Sequence, residues 1–143
     1  MIAIGSDHGG FALKQEIMDY LKNSGYDFCD VGCYEPKSVD YPDIAKLVCS
    51  KVTSKECELG ILVCGTGIGM SICANKIKGI RAAQCSDTFS ARMTRCHNNS
   101  NVLTLGGRTV GPELAKDIVK EFLTAEFEGG RHQTRIDKIM ELE

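Results

Sequence analysis

A chain of 143 residues is long enough to bury one hydrophobic core of its own. With 17 basic against 19 acidic side chains and a formal net charge of −2, it has no broad positive field, which excludes sequence-independent binding to nucleic acid or to an anionic membrane. Its 43% hydrophobic content is ordinary for a soluble protein, and no apolar run reaches the length of a membrane span, so any anion it handles must be gripped locally.

The first apolar stretch, Ile2–Gly5, reads as a strand and runs into the polar, glycine-flanked segment Ser6-Asp7-His8-Gly9-Gly10. Helical periodicity follows over Phe11–Asn23, then a strand over Asp27–Val31 and a helix over Tyr41–Thr53. The third strand, Leu59–Cys64, stops abruptly at the cysteine and gives way to Gly65, Gly67 and Gly69 at alternate positions before a helix over Met70–Lys76. A strand over Ile80–Cys85, a helix over Thr88–Cys96 and a strand over Val102–Leu105 come next, the last ending in Gly106-Gly107-Arg108. Pro112, just after Gly111, suits the first turn of a helix over Pro112–Thr124, where its missing N–H costs nothing. After the Gly129-Gly130 break, Arg131–Leu142 reads as a final helix. Strict strand–helix alternation with short connections predicts an α/β chain, one three-layer α/β/α domain over residues 1–143 with a parallel, Rossmann-like sheet of about five strands. Ligands of such sheets bind beyond the carboxyl ends of the strands, where the segments at 6–10, 64–69 and 105–108 fall.

Glycines at 65, 67 and 69 allow the backbone N–H groups of a strand-to-helix turn to converge on one point, and the following helix adds its positive end. This predicts an anion site, for a phosphate or for a developing enolate oxygen. It does not match a dinucleotide loop, which would need glycine where Met70 stands, nor a phosphate loop with Gly-Lys before Ser or Thr. Cys64 lies directly before those amides, whose field would favour its thiolate; the competing reading is a buried thiol filling space at a strand end. The other seven cysteines (29, 33, 49, 57, 73, 85 and 96) form no CxxC pair and read as such filler, which together with an amino terminus lacking a signal-peptide pattern predicts a cytoplasmic chain with reduced thiols. Asn98-Asn99-Ser100 matches a glycosylation sequon, without meaning in that compartment.

Of the three histidines, His8 sits in a strand-end loop beside Asp7, and this pair lacks further ligands at metal-binding spacing, so no metal is expected. His97 closes a helix ahead of the fifth strand, where capping or loop polarity competes with a functional role. His132 is placed facing away from the Arg131/Arg135 side and read as structural. Arg131 and Arg135 share a helix face four residues apart, a solvated pair unless an anion lies between them. With Arg108 at a strand end they suggest a small phosphorylated substrate.

Taken together, GSDHGG, DYPD, CGTGIGMS-x-CANK, HNN-x-NVL, GGR-x-VG and EGGRH-x-x-R, in this order from residue 5 to residue 135, resemble ribose-5-phosphate isomerase type B and the wider ribose/galactose isomerase family. The resemblance implies an aldose–ketose isomerase without metal or other cofactor, passing through a cis-enediolate and acting in the pentose phosphate pathway. It implies Cys64 as the base moving a proton between C1 and C2, in place of the glutamate that one branch of the family carries where Met70 stands here. Thr66 would bond the reacting hydroxyls, and the amides of Gly65, Gly67, Ile68 and Gly69 would hold the enediolate oxygen. His97 would open the sugar ring, Asn98 and Asp7 would bind the sugar, and His8, Arg108, Arg131 and Arg135 would line the phosphate end, with Tyr41 as a neighbour of the sugar. Cys96 beside His97 would add oxidant sensitivity, and a homodimer or dimer of dimers would complete each site from a partner subunit. Rival readings are a six-carbon substrate such as allose 6-phosphate or galactose 6-phosphate, a sugar-phosphate binding subunit without turnover, and a flavin- or nucleotide-binding domain.

Overall fold

A computed structural model of the protein describes residues 1–143 and alternates strands and helices as the periodicity predicts. In chain order these are β1 (Ile2–Ser6), α1 (Phe11–Asn23), β2 (Phe28–Asp30), α2 (Tyr41–Thr53), β3 (Leu59–Cys64), α3 (Ile68–Ala74), β4 (Ala82–Gln84), α4 (Thr88–Asn98), β5 (Val102–Gly106), α5 (Pro112–Thr124) and α6 (Arg131–Met140). The five strands form one parallel sheet in the order β2-β1-β3-β5-β4. No helix is long and apolar enough to cross a membrane.

The alternation of side chains along each strand sorts the core into two layers. Ile2 and Ile4 of β1, Ile61 and Val63 of β3, and Leu103 and Leu105 of β5 face one side, where Leu13, Ile17 and Leu21 of α1 and Ile118, Val119 and Phe122 of α5 meet them. Ala3, Leu62, Cys64 and Val102 face the other, against Ile44, Val48 and Cys49 of α2 and Met70 and Ala74 of α3. Buried on both faces, these central strands read as continuous apolar runs, and each buried aliphatic side chain contributes about 1.5–3 kcal/mol.

Element ends depart from the periodicity where polar groups intervene. α3 begins two residues earlier than predicted because Gly67, at φ +79°, forms its N-cap. β4 starts at Ala82 because the Arg81 N–H is used by Asn101 Oδ1 at 2.8 Å. α6 ends at Met140 rather than Leu142. Periodicity gives no warning of Lys14, fully buried on the inner face of α1. Its ammonium donates to both oxygens of Asp30, at 2.7 and 2.8 Å, and to the Cys33 carbonyl at 2.6 Å. That tie secures the segment after β2 and so the approach to α2.

Candidate active site

β1 and β3 lie side by side in the sheet, yet β1 connects outward to β2 on one side while β3 leads toward β5 and β4 on the other. This reversal opens a crevice at their carboxyl ends. Ser6 pairs with Val63 in register, so the loop after β1 and the loop after β3 leave the sheet together. The third loop joins from β5, whose Gly106 pairs with Cys64. Backbone bonds lock the three: Gly107 N–H donates to the Cys64 carbonyl at 2.8 Å and Arg108 N–H to the Gly65 carbonyl at 3.0 Å. Thr104 Oγ1 donates to the Gly67 carbonyl at 2.8 Å.

Cys64, buried, turns its sulfur toward the start of α3, and the Gly67 N–H donates to Sγ at 3.1 Å. A donor aimed at sulfur stabilises negative charge there. Gly67 is needed on two counts: its φ of +79° belongs to the left-handed region, and a Cβ there would stand 2.9 Å from the Leu105 backbone. Thr66 is exposed beside it, its Oγ1 accepting from the Ile68 N–H at 3.3 Å. Tyr41, opening α2, lays its ring on the backbone of Gly69, where a Cβ would fall 2.8 Å from the ring. Asp7 is buried and accepts the Gly10 N–H at 3.1 Å, while exposed His8 accepts the Val39 N–H on Nδ1 at 3.5 Å. Asp7, His8, Asp40 and Tyr41 line a cleft of about 460 Å³. The Arg108 side chain lies over Gly65, 3.5 Å from where a Cβ would be.

The other thiols have different surroundings. Burial pushes the Cys49 thiol up to about 12 and the Cys85 thiol up to about 11. Cys57 rises to about 11, through burial first and then its hydrogen bond with Cys29. These three stay protonated near neutral pH. All eight cysteines are free.

His97, Asn98, Arg131 and Arg135 are not in this crevice. Because α4 runs back from the carboxyl end, its last turn lies at the amino-terminal edge of the sheet, just before β5 begins at Val102. Arg81, just before β4, donates there to the carbonyls of Asn98 at 3.0 Å and Asn99 at 2.9 Å. The segment after α5 returns to the same edge, where Glu128 N–H donates to the Cys96 carbonyl at 3.0 Å. With strands rising about 3.3 Å per residue, this edge is about 16 Å from the thiol end. Within one chain the predicted site residues therefore form two groups. Arg108 belongs to the thiol group, Arg131 and Arg135 to the other, and none of the three makes an ion pair within the chain. Cys96 is buried at the far edge from its own Cys64.

His132 does turn inward while Arg131 and Arg135 are exposed, as its placement on the helix predicted. Its ring stacks on that of His97, with centroids 4.3 Å apart and planes 11° from parallel. Glu128 Oε2 lies 3.8 Å from His97 Nε2 and 3.4 Å from His132 Nε2. Neither the approach of Glu128 to His97 nor the stacking was signalled by spacing, since Glu128 and His132 lie more than 30 residues beyond His97; the Gly129-Gly130 turn that returns the chain is the one cue available.

The ribose/galactose isomerase family model matches residues 2–139. Ribose-5-phosphate isomerase B of Escherichia coli is 49% identical over 142 residues, covering 99% of this chain and 95% of its own. D-erythrulose-4-phosphate isomerase of Pectobacterium atrosepticum is 48% identical, covering 96% and 91%. Among solved structures, ribose-5-phosphate isomerase B of Clostridium thermocellum superposes with a TM-score of 0.97 at 56% identity, covering 99% of this chain and 95% of that one. A match along nearly the whole chain, with the same fold and the interlocked glycine loops described above, places the protein in the ribose/galactose isomerase family.

Proposed function

We propose that the protein is an aldose–ketose isomerase that interconverts D-ribose 5-phosphate and D-ribulose 5-phosphate through a cis-enediolate, with Cys64 as the base. The observation that carries this reading is the Cys64 sulfur at a strand end, met by the Gly67 N–H at 3.1 Å and followed by the glycine-rich turn that opens α3. Proton removal beside a carbonyl needs a positioned base and donors aimed at the oxygen that becomes negative. The thiolate takes the proton from C2 of the open-chain aldose and returns it to C1. The amides of Gly65 to Gly69 and the Thr66 hydroxyl hold the oxygens of the enediolate between the two transfers. Asp7 and Tyr41 orient the sugar, and His97, with Asn98 beside it, opens the ring by moving a proton between the ring oxygen and the anomeric hydroxyl. His8, Arg108, Arg131 and Arg135 hold the phosphate.

These roles require two copies of the chain, because the thiol group and the His97 group stand at opposite ends of the sheet. The crevice end carries exposed apolar side chains suited to such contact: Ile68 and Ile72, one turn apart on α3, and Phe89 at the start of α4. Each site would take Cys64, Thr66 and Arg108 from one protomer and His97, Asn98, Arg131 and Arg135 from its partner, a homodimer or dimer of dimers. Reduced thiols suit a cytoplasmic enzyme. A second reading, a sugar phosphate of another length, is favoured by the relative named for a four-carbon ketose phosphate. Ketose formation from ribose 5-phosphate tests the proposal. Wild type should convert it with or without EDTA, and Cys64→Ser should lose about 10²–10⁴-fold in kcat while still binding substrate. Near-normal turnover by Cys64→Ser would refute the assigned base, and an inactive wild type would refute the substrate.

A further inference from the structure

We propose that His97, Glu128 and His132 form a binding site for a divalent transition ion of the zinc class, and that an ion held there withdraws the His97 imidazole from proton transfer. Two imidazoles and one carboxylate are a donor set that zinc favours, and they leave a position open for water. The ligand atoms all lie within 4.8 Å of one another. Around a tetrahedral ion with ligands at about 2.0–2.2 Å, neighbouring donors stand about 3.3–3.5 Å apart. The His132–Glu128 separation of 3.4 Å already meets that spacing, and the His97–Glu128 separation of 3.8 Å is slightly wide.

The stacked rings set what must move. An ion shared by both must lie near the plane of each imidazole, and two rings 11° from parallel cannot offer that together. His132, with a side chain 8% exposed, is fixed by packing, whereas His97 at 40% has room to turn about its side-chain bonds. Binding therefore proceeds by rotation of His97 out of the stack and toward Glu128. The Glu128 backbone is already tied to the Cys96 carbonyl, so little chain has to be ordered. Arg131 and Arg135 on α6 oppose the added charge, but both are exposed to solvent that screens them. The metal-binding part stands on this geometry alone; the consequence for turnover rests on the role given to His97 above.

Purified full-length chain, titrated with zinc and followed through its imidazole NMR signals, should shift His97 and His132 together and leave His8 in place. Cobalt as a spectroscopic probe should then bind one ion per chain, with visible absorption but no sulfur-to-metal charge-transfer band. Glu128→Gln and His132→Gln, each checked for folding by circular dichroism, should bind at least about tenfold more weakly. Turnover of ribose 5-phosphate should fall in step with occupancy and return with EDTA. A sulfur charge-transfer band, unmoved His97 and His132 signals, or undiminished affinity in both variants would overturn the site. Full occupancy with undiminished turnover would overturn the withdrawal of His97. Because ion uptake is read without substrate, a chain that binds zinc in this way but isomerises no sugar phosphate counts against the function proposed above and not against the site.

Discussion

The Cys64 sulfur receives a backbone N–H from a turn whose conformation only glycine adopts readily, whereas Cys49, Cys57 and Cys85 are held protonated by burial. The difference in surroundings supports the role proposed for Cys64 over those three thiols. The role proposed for His97 is separable from that of Cys64. An aldose phosphate that cannot close a ring, such as erythrose 4-phosphate, has no need of ring opening. His97→Ala should therefore lose about 10²-fold on ribose 5-phosphate and much less on erythrose 4-phosphate, each compared with wild type by steady-state kinetics. Equal losses on both would contradict ring opening as its role. At this scale the sequence was informative where residues adjoin: Cys64, Thr66 and the three glycines stand where a strand stops. It was silent on the approach of Glu128 and His132 to His97, because contacts between segments distant in the chain leave no periodic trace.

The helices and strands follow from apolar spacing, and most of their limits were legible for that reason. The exceptions are polar. Lys14 lies at an inward position of α1 that periodicity assigns to an apolar side chain, and its partners, Asp30 and the Cys33 carbonyl, come from the end of the next strand and the segment after it. Removing one member of a buried pair leaves the other without compensation, so Lys14→Met should lower unfolding stability by about 3 kcal/mol in urea titration. It should also loosen the approach to α2, which carries Tyr41. A change below about 0.5 kcal/mol would show that the pair contributes little. At the start of α4, Asp87 accepts the Ser90 N–H at 2.7 Å, and this bond holds its carboxyl below the ordinary value of 3.8. A depressed folded-state value adds stability above the ordinary carboxylate range and loses it as pH falls through the folded value. Asp87→Ala should therefore melt earlier than wild type at pH 7, with the gap closing in strong acid; a gap independent of pH would rule out the charged cap.

The whole molecule places its candidate site residues at both ends of one sheet. Parallel strands with returning helices make this unavoidable: a residue that ends a strand and a residue that ends a helix lie at opposite edges. The separation of Cys64 from His97 was thus implicit in the alternation of elements, although motifs read in chain order suggest a single cluster. The second copy proposed above would reconcile the two, with Ile68, Ile72 and Phe89 exposed for contact. Subunit mixing tests this most directly. Cys64→Ser and His97→Ala homodimers should each be nearly inactive on ribose 5-phosphate. In a mixed dimer one site carries both changes and the other carries neither. Random pairing makes half of the dimers mixed, and each of these keeps one of two sites, so the mixture should recover about a quarter of wild-type activity. Recovery to that level would establish a site built from two chains around Cys64 and His97. No recovery, after subunit exchange had been verified by mass spectrometry, would contradict it.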